Sequence, residues 1–96
     1  MATYIVLISF SDQGARGIKE SPDRYAAFTS LAGNMGVTVK AGYYTMGNYD
    51  MVTIVEGEEG AAVALLAKVV SLGNIRTQTL RAFSPDEMRK LLAKMP

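Results

Sequence analysis

The sequence of 96 residues contains neither cysteine nor histidine. A chain without cysteine has no disulfide framework, no thiolate nucleophile and no structural zinc site of the usual kind. A chain without histidine lacks the commonest general base and the commonest metal and haem ligand. These absences exclude catalysis by Ser-His or Cys-His pairs, and we expect the protein to hold no metal and no cofactor.

Strong charge and long apolar runs are also missing. Ten basic residues are balanced by nine acidic ones, and the net charge of +1 is far from that of an electrostatic nucleic-acid binder. The apolar stretch 61–72 is too short to span a bilayer and carries Lys68. A secretory signal has a basic residue before its apolar run, and no lysine or arginine precedes the apolar run that follows Met1. We therefore expect a cytoplasmic protein that binds neither nucleic acid nor membrane.

Apolar material, by contrast, is plentiful. Hydrophobic residues make up 49% of the chain, which is enough for the core of one small domain. Because no linker, internal repeat or low-complexity segment interrupts the sequence, residues 1–96 are predicted to form a single domain.

Four segments have the β-branched and aromatic content of strands. They cover residues 3–10, 37–45, 50–56 and 75–82, and the last of them is the most polar. The second and third are predicted to form a hairpin whose turn consists of two residues, Gly47 and Asn48. Gly47 is then a position that requires a positive φ.

Three segments are predicted to be helical. Ser21-Pro22-Asp23 begins the first helix with a hydroxyl N-cap, a proline and an acid, and Gly33, Asn34 and Gly36 end it. Residues 58–72 form the second helix and stop before Gly73, which suits the position after a helix end. Ser84-Pro85-Asp86-Glu87 is a capping box that opens a short terminal helix.

The resulting order, β-α-β-β-α-β followed by a helix, matches the ferredoxin-like plan. This is an α+β fold with one four-stranded antiparallel sheet. Right-handed crossovers place the first and third strands in the middle of the sheet and the second and fourth at its edges.

Both faces of the central strands are apolar. In the first strand Ile5 and Leu7 point one way, whereas Val6 and Ile8 point the other. Two helices cover only one face of such a sheet, and an exposed apolar patch normally marks an interface. We predict a homodimer or higher homo-oligomer with the sheets packed face to face, the dimeric α+β barrel arrangement. The alternative is that the terminal helix folds back over that face within one chain.

The hairpin register divides its side chains between the two faces of the sheet. It places Thr45 opposite Asp50, Tyr44 opposite Met51 and Lys40 opposite Val55. One face then mixes aromatic, apolar and polar groups, as a ligand cleft or a dimer interface would; it carries Tyr44, Lys40, Met51, Thr53 and Val55, with Tyr49 at the tip. The opposite face is predicted to pack on the helices; it carries Val39, Ala41, Tyr43, Val52 and Ile54.

Two blocks of sequence resemble those of a known family. Thr45-Met46-Gly47-Asn48-Tyr49-Asp50, followed by Val52, Ile54 and Glu56, resembles the signature of the GYD-domain family, and residues 71–83, SLGNIRTQTLRAF, resemble its second block. With Tyr4-Ile5-Val6-Leu7 at the start, the resemblance covers nearly the whole chain. It implies a small prokaryotic ferredoxin-like domain of the dimeric α+β barrel kind, and it implies little chemistry.

The hairpin supplies the candidate site residues of the first group. Asp50 could serve as a general base or could cap the hairpin, and Tyr44 is a second weak catalytic candidate. Tyr49 could stack on a ligand or pack across the hairpin tip. Lys40 could bind an anion, although a solvated lysine on an edge strand, where it discourages aggregation, is the more common arrangement.

The fourth strand supplies the second group. Thr77, Thr79 and Arg81 share one face of the strand, and Arg76 points to the other. Two threonines and an arginine could bind a carboxylate or a phosphate. Threonine is also a good edge-strand residue, and the arginines could make structural or dimer contacts.

Two functions fit these observations. The first is a non-catalytic, homo-oligomeric module that binds a small ligand or regulates, with its site between sheet and helices or at the dimer seam. The alternative is a cofactor-independent enzyme acting on a small anionic organic substrate by carboxylate or tyrosine proton transfer. The missing histidine and cysteine favour the first.

Overall fold

A four-stranded antiparallel sheet forms the base of the fold. The computed structural model describes all of residues 1–96 and contains strands β1 (Ala2–Phe10), β2 (Thr38–Tyr44), β3 (Met51–Gly57) and β4 (Ile75–Ala82). Their order across the sheet is β2-β3-β1-β4. The predicted ferredoxin-like topology, with the two most apolar strands in the middle, is confirmed.

Four helices accompany the sheet: α1 (Asp12–Arg16), α2 (Ser21–Asn34), α3 (Glu59–Ser71) and α4 (Pro85–Leu92). A 3₁₀ turn over Ile18–Glu20 leads directly into α2. None of the four helices is both long enough and apolar enough to cross a bilayer.

Helices α2 and α3 lie on one face of the sheet. The buried side chains of that face come from the two central strands and pair across them: Tyr4 with Val55, Val6 with Thr53, and Ile8 with Met51. Four more buried residues complete the core: Val37 just before β2, Ala32 in α2, and Ala62 and Leu65 in α3. The helix-covered face is thus the one that carries Met51, Thr53 and Val55.

The prediction of the helix-covered face is wrong for Ala41, Tyr43, Val52 and Ile54, which lie on the opposite face, whereas Val39 packs against the core as predicted. Lys40 does not pair with Val55, because a bulge between Val39 and Ala41 shifts the register and places Val39 opposite Val55. The bulge removes the lysine from the helix-covered face. Thr53 can be buried there because its hydroxyl donates to the carbonyl oxygen of Ala41 at 2.9 Å.

The hairpin connection is longer than the predicted two-residue turn. Tyr44 faces Met51 as expected, and the Thr45 amide donates to the Asp50 carbonyl oxygen at 2.9 Å. Residues 46–49 form a four-residue loop between these partners, in which the Thr45 hydroxyl donates to the Tyr49 carbonyl oxygen at 2.6 Å. Gly47 has φ +111, as predicted for this position.

The start of α2 also differs from the prediction. Ser21 is the first residue of the helix rather than its N-cap, because the 3₁₀ turn already supplies helical backbone up to Glu20. The Ser21 side chain is buried and meets the Tyr44 hydroxyl at 2.8 Å instead of capping the helix.

Helices α3 and α4 begin at side-chain caps. The Glu58 carboxylate accepts the amides of Gly60 and Ala61 at the start of α3. The predicted capping box between Ser84 and Glu87 opens α4. Helix α4 packs extensively against no other element, so it does not fold back over the open face of the sheet.

Candidate functional site

A cavity of about 170 Å³ lies between the sheet and the two covering helices. Its walls come from β1, β3 and β4 below and from α2 and α3 above. Twelve of its 17 lining residues are hydrophobic, among them Val6, Ile8, Phe28, Leu31, Leu66 and Val69. Val6, Ile8 and Met51 of the hydrophobic core form part of its floor.

This cavity is partly open to solvent rather than an enclosed void. Two of its lining residues, Ala27 and Leu72, are exposed.

Hydroxyl groups are concentrated at the β2 side of the cavity. Ser21 and Tyr25 of α2 both line it, as does Thr53 of β3. The Tyr25 hydroxyl lies 3.3 Å from the Thr53 hydroxyl, and the Ser21 hydroxyl lies 2.8 Å from that of Tyr44. Each of these hydroxyls can both donate and accept, so the cluster can reorganise around one additional polar group.

Gly42 makes room for Tyr25. A Cβ built at this position in β2 would lie 2.0 Å from the Tyr25 hydroxyl oxygen and 2.5 Å from the adjoining ring carbon. A glycine inside a strand commonly marks such a close approach. The tyrosine ring therefore reaches across the sheet edge only because residue 42 has no side chain.

Arg24 is the one charged residue in the lining. Its guanidinium donates to the carbonyl oxygens of Gly17 at 2.8 Å and Gly14 at 3.3 Å. These bonds tie α2 to the segment that contains α1. Within the chain, Arg24 thus has a structural role.

Asp50 lies outside the cavity lining. Its carboxylate accepts the Phe10 amide at 2.7 Å, and its own amide donates to the Ile8 carbonyl oxygen at 2.8 Å. The residue therefore joins the end of the hairpin to the end of β1. The aspartate is held by the backbone of a neighbouring strand rather than presented to a bound molecule.

Tyr49 and Lys40 lie apart from the cavity. The Tyr49 hydroxyl donates to Gln78 Oε1 at 2.6 Å, which brings its ring to the sheet face opposite the helices. Lys40 is exposed in the bulge of β2. Neither residue is near enough to the cavity to line it.

The candidates on β4 are divided as predicted between the two faces. Thr77 faces Ile8 and lines the cavity, whereas Thr79 faces Val6 and is exposed. Arg81 faces Tyr4, with its guanidinium carbon 5.7 Å from that ring's centroid and 4.4 Å from that of Phe83. Its guanidinium also donates to the Thr3 and Ala82 carbonyl oxygens.

Arg76 is exposed on the opposite face of β4, where it faces Ser9. The structure thus brings only Thr77 of the candidate residues into the cavity, with Tyr44 in contact through Ser21. The threonine and arginine constellation of β4 is not gathered around one point.

Sequence reasoning missed Ser21 and Tyr25 as site residues, and it placed Thr53 on the face of a possible ligand cleft without naming it as a site residue. Two signals pointed to them: Thr53 is the single hydroxyl among the apolar residues 51–55, and Gly42 interrupts a strand. Neither signal identifies Tyr25, because a tyrosine on the apolar stripe of a helix is indistinguishable from a core residue.

The sheet face away from the helices is a second candidate surface. Ile5, Leu7, Val52 and Ile54 remain partly exposed there, and Leu80 is 40% exposed. Cross-strand pairing places them side by side, since Leu7 faces Val52 and Ile5 faces both Ile54 and Leu80. No element of the chain covers this apolar face.

Similar structures share the fold. The crystal structure of FFRP-DM1 aligns with a TM-score of 0.57 and 21% identity, covering 86% of this chain and all of that one. The crystal structure of TTHA0845 from Thermus thermophilus aligns with a TM-score of 0.55 and 25% identity, covering 88% of this chain and 95% of that one.

Sequence comparison adds a relative with a described role. The chain is 38% identical over 84 residues to a Thermus thermophilus protein named glutamine synthetase and cystathionine beta-lyase binding protein. The match covers 85% of this chain and 88% of the relative. The family model of the GYD domain matches residues 4–92, nearly the whole chain. The expected resemblance is confirmed: the chain belongs to the GYD-domain family.

Proposed function

We propose that the protein is a non-catalytic, homodimeric module that regulates a metabolic enzyme by binding to it. The observation that carries the proposal is the 38% identity, over most of both chains, to a relative named for binding glutamine synthetase and cystathionine β-lyase. The engagement of the Asp50 carboxylate by the Phe10 amide also supports a binding module over a proton-transfer enzyme. A protein that binds such metabolic enzymes must be in the same compartment as they are, and we place it in the cytoplasm.

A second copy of the chain is the proposed occupant of the open sheet face. The apolar pairs Leu7–Val52 and Ile5–Ile54 lie on it, and a twofold axis would pack each pair against its own copy. Packing of two such faces, about 10 Å apart, would enclose these side chains in the dimeric α+β barrel arrangement. This leaves the outer surfaces of the helices, the strand edges and the exposed tip of the hairpin loop at Met46 free for an enzyme, whereas Tyr49 of the same loop lies against the dimer face.

The hairpin loop is the proposed contact with the enzyme. Met46 at its tip is fully exposed, and methionine is common on surfaces that bind other proteins. The loop is held by the Thr45–Tyr49 and Tyr49–Gln78 hydrogen bonds. A loop that is already ordered loses little conformational entropy on binding, which favours affinity.

The test is direct binding to glutamine synthetase and cystathionine β-lyase from the same organism, measured by biolayer interferometry, with enzyme activity followed in parallel. We expect saturable binding of at least one enzyme and a change in its rate. Because residues 45–49 of the proposed contact carry no charge, affinity should change little between low and physiological salt. Absence of binding by both enzymes at tens of micromolar would overturn the proposed function.

Two variants locate the contact. Met46→Glu should weaken enzyme binding at least about tenfold, because it places a charge in an apolar contact. Val63→Glu on the outer face of α3, where the side chain is 60% exposed, is the matched control and should bind as the wild type does. Equal binding by both variants would remove the loop from the proposal and leave the enzyme partnership in place.

A further inference from the structure

We propose that the cavity between α2, α3 and the sheet binds an uncharged, single-ring aromatic molecule of about the size of benzene or phenol. The proposal concerns a site distinct from the open sheet face and from the hairpin loop, and it does not rest on the proposed enzyme partnership. It follows from the volume of the cavity, its lining and the state of the polar groups around it.

Volume sets the size of the ligand. Sites for drug-sized molecules usually have about 300–1,000 Å³, so the 170 Å³ of this partly open cavity accommodates a group of about the size of one ring. An engineered apolar cavity of about 150 Å³ in another protein stays free of water and binds benzene. A single six-membered ring with at most one small substituent therefore fits this space.

The lining favours an aromatic ring. Tyr25 and Phe28 both border the cavity, with their ring centroids 5.9 Å apart and their planes inclined by 35°. Phe10 adds a third ring to the wall. Aromatic side chains prefer tilted or offset contacts with another ring, and these rings leave such contacts available to a ligand.

The lining favours an uncharged ligand, because 12 of its 17 residues are hydrophobic. No buried side-chain nitrogen or oxygen atom in the chain lacks a hydrogen-bond partner, so no buried polar side chain is left unpaired to bind an ion. The single charged lining residue, Arg24, is bonded to two carbonyl oxygens. A carboxylate or a zwitterion placed against the apolar part of the lining would lose its hydration, and only the remaining N–H groups of Arg24 are there to replace it.

One neutral hydroxyl on the ring is compatible with the site. The Tyr25 and Thr53 hydroxyls are 3.3 Å apart, which is long for a bond between two hydroxyls. A phenolic hydroxyl placed beside them could replace or join this weak contact. Phenol is therefore expected to bind at least as well as benzene.

The experiment is a titration of the full chain, carrying ¹³C-labelled methyl groups, with benzene, phenol and benzoate. Saturable shifts of the Leu31, Leu66 and Val69 methyl signals are expected with benzene and phenol, together with a higher melting temperature. Benzoate should produce neither effect. Absence of saturable shifts, shifts centred on Ile5 and Leu7, or equal binding of benzoate would each overturn the proposal.

Paired variants on each helix localise the ligand. On α3, Val69→Phe fills the cavity and should weaken benzene binding at least tenfold, whereas Val63→Phe adds the same group to an exposed position and should not. On α2, Ala27→Phe at the rim of the cavity and Ala26→Phe at the neighbouring position outside it form a second pair with less risk to folding, since both residues are exposed. Equal binding within both pairs, with folding checked by circular dichroism, would refute the site.

Discussion

At the scale of single residues, the position of the Tyr25 ring depends on the absence of a side chain at Gly42. Gly42→Ala would put a Cβ 2.0 Å from the Tyr25 hydroxyl oxygen, so either the ring or the strand must move. We expect the free energy of unfolding to fall by about 1–3 kcal/mol, as for other cases of overpacking. Chemical denaturation followed by circular dichroism measures it.

Gly33→Ala is the matched control for this prediction. Gly33 lies inside α2, and a Cβ there would meet nothing within 4 Å. The substitution should raise the free energy of unfolding by about 0.5–1 kcal/mol, because alanine restricts the unfolded chain more than glycine does. If Gly42→Ala were as stable as Gly33→Ala, the close approach of Tyr25 would not exist.

The candidate site shows why some residues could be predicted and others could not. Thr77 was found because strand alternation assigns it to one face with Thr79 and Arg81. Lys40 was assigned to the wrong face of the sheet because β2 contains one extra residue. Between this bulge and Thr38, the extra residue reverses which side chains point to which face. A bulge has no reliable sequence signal, and a cavity is a property of packing that no local pattern contains.

At the scale of elements, α3 depends on a charged cap. Hydrogen bonds from the Gly60 amide and then the Ala61 amide lower the pKa of Glu58 from its ordinary value of 4.5. A carboxyl whose pKa is lowered in the folded state stabilises that state above its unfolded pKa. This stabilisation is lost as the pH falls through the lower, folded value.

Glu58→Gln tests this dependence. Melting curves recorded from pH 7 down to pH 3 should show the wild type melting above the variant at neutral pH. The two should converge as the pH falls below 4.5 and through the lowered pKa of Glu58, where the wild-type carboxyl also becomes uncharged. Glu59→Gln, one residue further on and outside the cap, controls for net charge. A difference that persisted unchanged at pH 3 would contradict the cap.

The secondary-structure elements were largely predictable because each has local signals at its ends. The capping box at Ser84 and Glu87 fixes the start of α4, and Gly73 with φ +85 follows the end of α3. The exception is the start of α2, where the sequence Ser-Pro-Asp indicates a cap at Ser21. The preceding 3₁₀ turn instead makes Ser21 helical and releases its hydroxyl for Tyr44, a tertiary contact that local sequence does not contain.

At the scale of the whole molecule, the chain is extended for its size. Its Cα radius of gyration is 14.6 Å, whereas about 12.5 Å is expected for a compact domain of this length. Helix α4 contributes to this because it packs extensively against no other element, and its Met88 and Leu92 side chains are 45% and 49% exposed. An isolated helix of eight residues is marginal in water, so α4 also needs a partner surface.

The dimer proposed above would supply that surface. Four strands about 4.8 Å apart, with about seven residues each at 3.3 Å, give a sheet face of roughly 450 Å² in projection. A stable interface buries about 800 Å² on each partner. The sheet face alone is therefore small for a stable dimer, and we expect α4 and Phe83 to add contacts with the second copy.

A charge at the centre of the open face tests the dimer. Leu7 lies between Val52 and Gln78 on that face, and Leu7→Lys would have to bury an unpaired ammonium group in the interface. At a cost of about 3 kcal/mol, the dissociation constant should rise about 100-fold. Size-exclusion chromatography with light scattering should then give the single-chain mass of 10.3 kDa for the variant and at least twice that for the wild type.

Val63→Lys, on the exposed side of α3, carries the same charge and should keep the mass of the wild type. The two variants separate an effect of charge from an effect of position, because both add one lysine to a partly exposed apolar site. A wild-type mass of 10.3 kDa at micromolar concentration would refute the dimer. The exposed faces of the sheet and α4 would then have to serve a different protein, and the enzyme partner would be the first candidate to cover them.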